Sequence, residues 1–248
     1  MVTSKAQPKG EGNAPRPRGR PKGLSPKGAA TRERLFDAAI SLMGEHGFEG
    51  TTLRAIATEA GVTHAMLYRH FPSKQSVVAA LYGRLSTTLA ERVTLPRGSW
   101  RSRTEAALMV SLDVLRPHRR ALGTSTSILV GDPDWNVFAP GTEDARRRVR
   151  KVFEDAVSNA SDAPKPARGA ALSRLLYLLH LGVVLLWLLD KSKDQRATGA
   201  LLKLVGPGLT LVNAMLKLPG TWRFVERVDG ATSDALCGET EGCKFPGN

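Results

Sequence analysis

From Thr31 onward, apolar residues recur three and four positions apart. Leu35, Ala38, Ala39, Leu42 and Met43 mark one face of an amphipathic helix, which Gly47 is expected to end. A shorter helix follows, with Thr51 or Thr52 as N-cap and Leu53, Ile56, Ala57 and Ala60 on its inner face. Gly61 breaks it. A third short helix is predicted over His64–His70. Pro72 stops it, and Ser73 caps a fourth that runs on through Leu81. Helical pattern then continues almost to residue 218. Breaks are predicted at Pro96–Gly98, Pro117, Gly131–Gly141, Ser161–Pro166 and Asp190–Asp194. Gly206-Pro207-Gly208 should kink or break the last helix, because proline removes a helix hydrogen bond. No run alternates like a strand, so the predicted fold is all-α. Residues 221–248 are polar and contain glycine, and are expected to form a loose tail.

Residues 1–30 carry no such pattern. They are rich in Lys, Arg, Pro and Gly, with seven basic residues against one acid, Glu11. A segment with so little apolar surface cannot offset its ordering entropy and is expected to be a disordered basic tail.

Composition sharpens this picture. The chain has 248 residues, 42% hydrophobic and 24% charged, ordinary values for a globular protein. Its net charge of +13 points to an anionic partner, either nucleic acid or an acidic membrane surface. Residues 1–82 hold +6 of that charge and residues 83–248 hold +7, so charge alone does not place the partner. The most apolar run, Leu175–Leu189, contains His180 and Gly182 and is shorter than the roughly 20 residues of a membrane span. A buried helix is the expectation, with no membrane as partner. The N-terminus shows no apolar stretch of the kind a signal peptide carries. Cys237 and Cys243 are the only cysteines, which suits a reducing cytoplasm. No further ligands cluster near them, so free thiols are expected, with neither metal nor cofactor.

The most informative stretch is Thr51–Lys74, TTLRAIATEAGVTHAMLYRHFPSK. Two short helices joined by a tight turn make a helix-turn-helix. Ala57 is small where the helices approach, Gly61 tolerates positive φ in the turn, and Ile56, Val62 and Leu67 lock the pair. The second helix could then enter a major groove with its N-terminal residues against base edges. On Ile56-Ala57, Ala60-Gly61-Val62, Leu67-Tyr68, Phe71 and Ser73-Lys74, the region resembles the TetR family of transcriptional regulators. Ala38-Ala39, Leu42, Gly47-Phe48 and Thr51-Thr52 extend the match over about 50 residues. His64-Ala65 departs from the small or cationic pair common in the family, so the base-reading surface is individual. The resemblance implies a homodimer on a palindromic operator in double-stranded DNA. It also implies a helical regulatory domain whose small-molecule effector releases the DNA. The organisation expected is a tail over 1–30, a helix-turn-helix domain over 31–78, a helical ligand-binding and dimerisation domain over 79–220, and a tail over 221–248.

Within the reading head, Thr63, His64 and Ala65 open the recognition helix. Thr63 can serve as N-cap and as a DNA contact at once. Tyr68 could be a core aromatic or a phosphate ligand, and the resemblance favours phosphate. Arg69 and His70 end the helix, where DNA contact is expected. Lys74, at the start of the fourth helix, is expected to hold a phosphate together with free backbone N–H groups. Thr52 and Arg54, at the start of the motif's first helix, are expected to act likewise. In the tail, Pro17-Arg18-Gly19-Arg20-Pro21 is similar to an AT-hook core, with Arg18 and Arg20 entering an A·T-rich minor groove. The alternative there is a plain basic lead attracting phosphates.

Farther along, Tyr177, His180, Val184 and Trp187 share one helix face, read either as a ligand pocket or as plain core. Leu175, Leu179, Gly182, Leu186 and Leu189 populate the other side and suit a dimer seam. Arg146–Lys151 is read as a solvated basic face partly paired with nearby acids. No glycine-rich phosphate loop, GxSxG or HExxH motif appears, so an enzyme is not expected. The competing reading is a non-specific architectural DNA-binding protein that relies on the tail.

Overall fold

The computed structural model describes residues 25–237, which contain eleven α-helices and no strand. The N-terminal group is α1 (Pro26–Gly50), α2 (Leu53–Glu59) and α3 (His64–His70), and α4 (Lys74–Arg92) leads out of it. The rest comprises α5 (Trp100–Leu115), α6 (Arg119–Thr124), α7 (Thr126–Gly131), α8 (Glu143–Ser158), α9 (Pro166–Leu189), α10 (Arg196–Met215) and α11 (Thr221–Cys237).

α1 starts at Pro26 rather than Thr31. The Ser25 hydroxyl accepts from the Gly28 N–H at 3.2 Å, and Pro26 at the first position removes a donor that would have no partner. Residues 26–30, assigned to the tail on composition, are therefore helical, while Arg18 and Arg20 lie outside the described residues. At its other end α1 does not stop at Gly47. Gly47 takes φ 77°, and helical geometry resumes as far as Gly50. The Thr51 hydroxyl donates to the Gly47 carbonyl at 2.7 Å and fixes this bend.

Leu35, Ala39, Met43 and Phe48 of α1 form the first core with Ile56, Leu67, Phe71, Val77 and Leu81. The second core joins Leu89 to Trp100, Leu108, Val149, Phe153, Leu172 and Leu176. α4 serves both, with Val77, Val78, Leu81 and Leu85 in the first and Leu89 in the second. The division expected after residue 78 thus falls inside a continuous helix. Arg103 braces the second core from within. Its guanidinium donates to the carbonyls of Pro96, Asp155 and Ala156 at 2.6, 3.0 and 3.1 Å, satisfying the carbonyl end of α8.

Three expectations about the C-terminal half are corrected. Residues 221–237 are a helix, not a loose tail. Trp222, Val225 and Asp229 turn inward, and Asp229 forms a two-pronged salt bridge with Arg174 of α9. α10 passes through Pro207 with no non-helical residue at Gly206-Pro207-Gly208. The carbonyl of Lys203, which loses its donor there, sits on an exposed turn where water can replace it. α9 is longer than its apolar run and, by length and composition alone, long enough to cross a bilayer. Its Leu172, Leu176, Tyr177, Val183 and Trp187 are nevertheless buried against neighbouring helices.

Candidate nucleic-acid interface and ligand cavity

The reading head is built from short helices with strong local stop signals. Thr52 caps α2, its hydroxyl accepting from the Ala55 N–H at 3.1 Å, and Thr63 caps α3 by accepting from Met66 N–H at 3.3 Å. Between them Gly61 adopts φ 63°, and the Val62 N–H returns to the Ala57 carbonyl at 3.0 Å. Leu67, fully buried, pins α3 to the core. That anchorage turns His64, Ala65, Tyr68 and Arg69 to solvent. Tyr68 is 49% exposed, so it is not a core aromatic, and its ring meets His64 edge-on at 5.1 Å. Arg54 and Thr52 are exposed on α2.

Two of the expected contacts are more constrained than their spacing suggested. His70 is partly buried. Its pKa is lowered by that burial and then by Arg32 and Arg69, so it faces the neutral range as a hydrogen-bonding group and not as a cation. Lys74 does not project freely. Its ammonium donates to the Phe48 carbonyl at 2.7 Å and lies 4.4 Å from the centre of the Phe48 ring. In the first turn of α4 the Ser76 N–H is likewise taken, because Ser73 and Ser76 cap the helix reciprocally. No sequence signal revealed either constraint.

The four residues proposed as a ligand face do not surround one cavity. His180 and Val184 line an apolar cavity of about 80 Å³, walled also by Leu85, Leu122, Leu129 and Leu188. Tyr177 lines a separate recess with Arg146, and Trp187 donates to the Gln195 side chain at 2.7 Å beneath Arg119. His180 is hydrogen-bonded to Ser111 at 2.7 Å, and burial alone takes its pKa down to about 4, so the ring is neutral. The cavity walls come from α4, α5, α6, α7, α8 and α9, a set that no local pattern could assemble.

The cavity and the reading head share α6. Leu122 walls the cavity, while Thr124 of the same helix donates its hydroxyl to the Met43 carbonyl of α1 at 3.2 Å. Arg119 ties the start of α6 to α9 through the carbonyls of Trp187 and Asp190, at 3.0 and 2.7 Å. On the opposite side of α9, Leu179, Gly182, Leu186 and Leu189 are exposed, and Leu204, Gly208, Leu211, Met215 and Leu218 continue the apolar surface on and just beyond α10. In the basic run, Arg147 pairs with Asp144, and Lys151 with Glu154 and Asp155, as expected of a solvated face. Arg146, 2% exposed, and the half-buried Arg150 depart from that face.

The described residues thus form a helix-turn-helix head, its second helix turned outward, mounted on a helical bundle. Residues 35–81 match the family model described as bacterial regulatory proteins, tetR family. The transcriptional repressor DrrR1 of Streptomyces coeruleorubidus is 30% identical over 100 residues. That match covers 40% of this chain and 37% of the repressor, so it spans well under half of the relative's length. In fold the chain resembles a TetR-family transcriptional regulator from Streptomyces coelicolor, with 22% identity, a TM-score of 0.57, and coverage of 82% of this chain and 89% of that one. It also resembles the regulator FadR of Bacillus subtilis, whose structure is a complex with stearoyl-CoA. Identity there is 12% and the TM-score 0.51, covering 71% of this chain and 98% of that one.

Proposed function

We propose that this protein is a dimeric, sequence-specific DNA-binding regulator of transcription, not an enzyme, acting as a repressor in the cytoplasm and released from a palindromic operator by a small effector. The observation that carries this reading is the exposure of His64, Tyr68 and Arg69 on a helix whose Leu67 is sealed in the core. Base edges and phosphates are within reach of such a face, whereas an architectural protein needs no reading helix. The repressor relative DrrR1 favours repression over activation.

A seven-residue helix can contact only a few bases, so specificity calls for a second copy. The apolar stripes of α9 and α10 supply its seat. Gly182 and Gly208 have open space where a Cβ would stand, which lets the partner's helices approach closely. A two-fold seam there sets two copies of α3 about one DNA turn, roughly 34–36 Å, apart.

Effector control follows from α6. A cavity of about 80 Å³ is about half the ~150 Å³ that takes up a benzene ring, so a ligand must enlarge it. Displacing Leu122 moves a helix bonded to α1 and thereby resets the spacing of the reading heads. That FadR is found in complex with stearoyl-CoA supports a small-molecule effector. The test is a gel shift of the purified protein on the promoter fragment of its own gene. A complex that withstands excess bulk genomic DNA supports the reading. One removed as readily by bulk DNA as by unlabelled promoter favours the architectural alternative.

A further inference from the structure

The recess beside the cavity contains a buried charge with no counter-charge. Arg146 donates to the carbonyls of Val137 and Ala139 at 3.2 Å each, but its Nε has no partner, and no carboxylate among the described residues pairs with it. The adjoining acid, Asp229, is already taken by Arg174. Tyr82 and Tyr177 lie side by side next to Arg146, both hydroxyls buried, close enough to interact with each other but with no well-formed hydrogen bond to any other group. Burial keeps both phenols protonated, that of Tyr82 up to about 12, so each presents an O–H donor. Buried donors and a buried cation are costly when left unmatched, and native folds seldom retain them without an occupant.

This donor set adjoins the apolar cavity. Val149, one turn from Arg146 on α8, and His180, one turn from Tyr177 on α9, both wall that cavity, as does Tyr82. The two phenols form the partition between a cationic recess and an apolar chamber.

Building on the ligand-responsive reading, we infer that the effector is an amphipathic organic acid. Its carboxylate pairs with the Arg146 guanidinium, whose planar fork matches a carboxylate, and accepts from Tyr82 and Tyr177. Its apolar chain passes the partition and lies against His180, Val184 and Leu122. The recess as it stands holds about 10 Å³, room for about one water, so entry of the acid widens both spaces. That widening is the same wall movement that α6 transmits.

The test uses the full-length protein, titrated calorimetrically with octanoate and with octan-1-ol. Octanoate is expected to bind at least tenfold more tightly than the alcohol. Tyr177→Phe, which keeps the ring, should weaken octanoate severalfold and leave the alcohol unchanged. Arg146→Gln should abolish the preference for the acid. Because Arg146 also holds two backbone carbonyls, Arg146→Lys serves if the glutamine variant does not fold, with a tenfold loss expected because an ammonium cannot replace the fork. Equal affinity for acid and alcohol, unaltered octanoate binding in the variants, or no octanoate binding at all would overturn the inference, the last leaving water as occupant. A parallel gel shift separates the two readings. Octanoate binding that leaves DNA bound keeps the acid site and removes effector control. DNA binding without octanoate binding removes the acid site and keeps the regulator.

Discussion

The Lys74 ammonium donates to the Phe48 carbonyl at 2.7 Å and rests over the Phe48 ring, joining the start of α4 to the end of α1. An ammonium has three donors, and this bond uses one, which leaves two for a phosphate. Lys74→Met keeps the aliphatic stem and removes the charge. Binding to all DNA sequences should weaken, the salt slope of log Kd should fall by about one, and stability should drop by roughly 1 kcal/mol. Salt titrations by fluorescence anisotropy, with a thermal melt alongside, check this. A lower melting temperature with an unchanged slope would confine Lys74 to a structural role.

His64 stands first on α3, exposed and in edge contact with Tyr68. Replacing it with alanine should cost about 1–3 kcal/mol on the preferred operator and relax preference at one or two base positions. Binding to unrelated DNA should be unaffected. Competition against a set of single-base operator variants reads the change.

The seam makes a demand on Gly182. A Cβ added there meets nothing within 4 Å, so Gly182→Arg leaves the protomer intact while placing a charge in the proposed contact. Sedimentation should show a monomer with a native melting profile and weak operator binding. A variant that still sediments as a dimer would place the seam elsewhere.

Acid should destabilise the protein through His180. Its folded pKa of about 4 lies below the unfolded value of 6.5, so the unfolded state takes up a proton first as pH falls. Stability is then complete above pH 6.5, declines between 6.5 and about 4, and loses roughly 3 kcal/mol over that range. His118 acts in the same direction, lowered by partial burial and then by Arg84. Urea unfolding at stepped pH should show this slope in the wild type and a shallower one in His180→Phe.

What the sequence disclosed depended on how local each signal was. The bounds of α3 were legible because Thr63, Pro72 and a single apolar anchor, Leu67, all lie within it or at its ends. The two sides of α9 were legible from a three-and-four spacing except at Leu175, which was placed on the open side but packs against the second core. α11 was not, because its inward face includes Asp229, an acid that becomes a buried residue only through Arg174, 55 positions earlier. Arg146 looked like one more residue of an exposed basic run, and only the packing of α8 against α4 and α9 turns it inward. Lys74 was not legible as a partner of Phe48, since that contact depends on the bend at Gly47.

On the proposed function, α3 reads sequence in a two-fold arrangement. Selection of bound fragments from random double-stranded DNA, at near-physiological salt and with the purified full-length chain, tests it most directly. An enriched inverted repeat is expected, its half-sites about one helical turn apart, and lost when His64, Tyr68 and Arg69 are together replaced by alanine. A bound pool with no enriched motif, or one unchanged by that replacement, would contradict it.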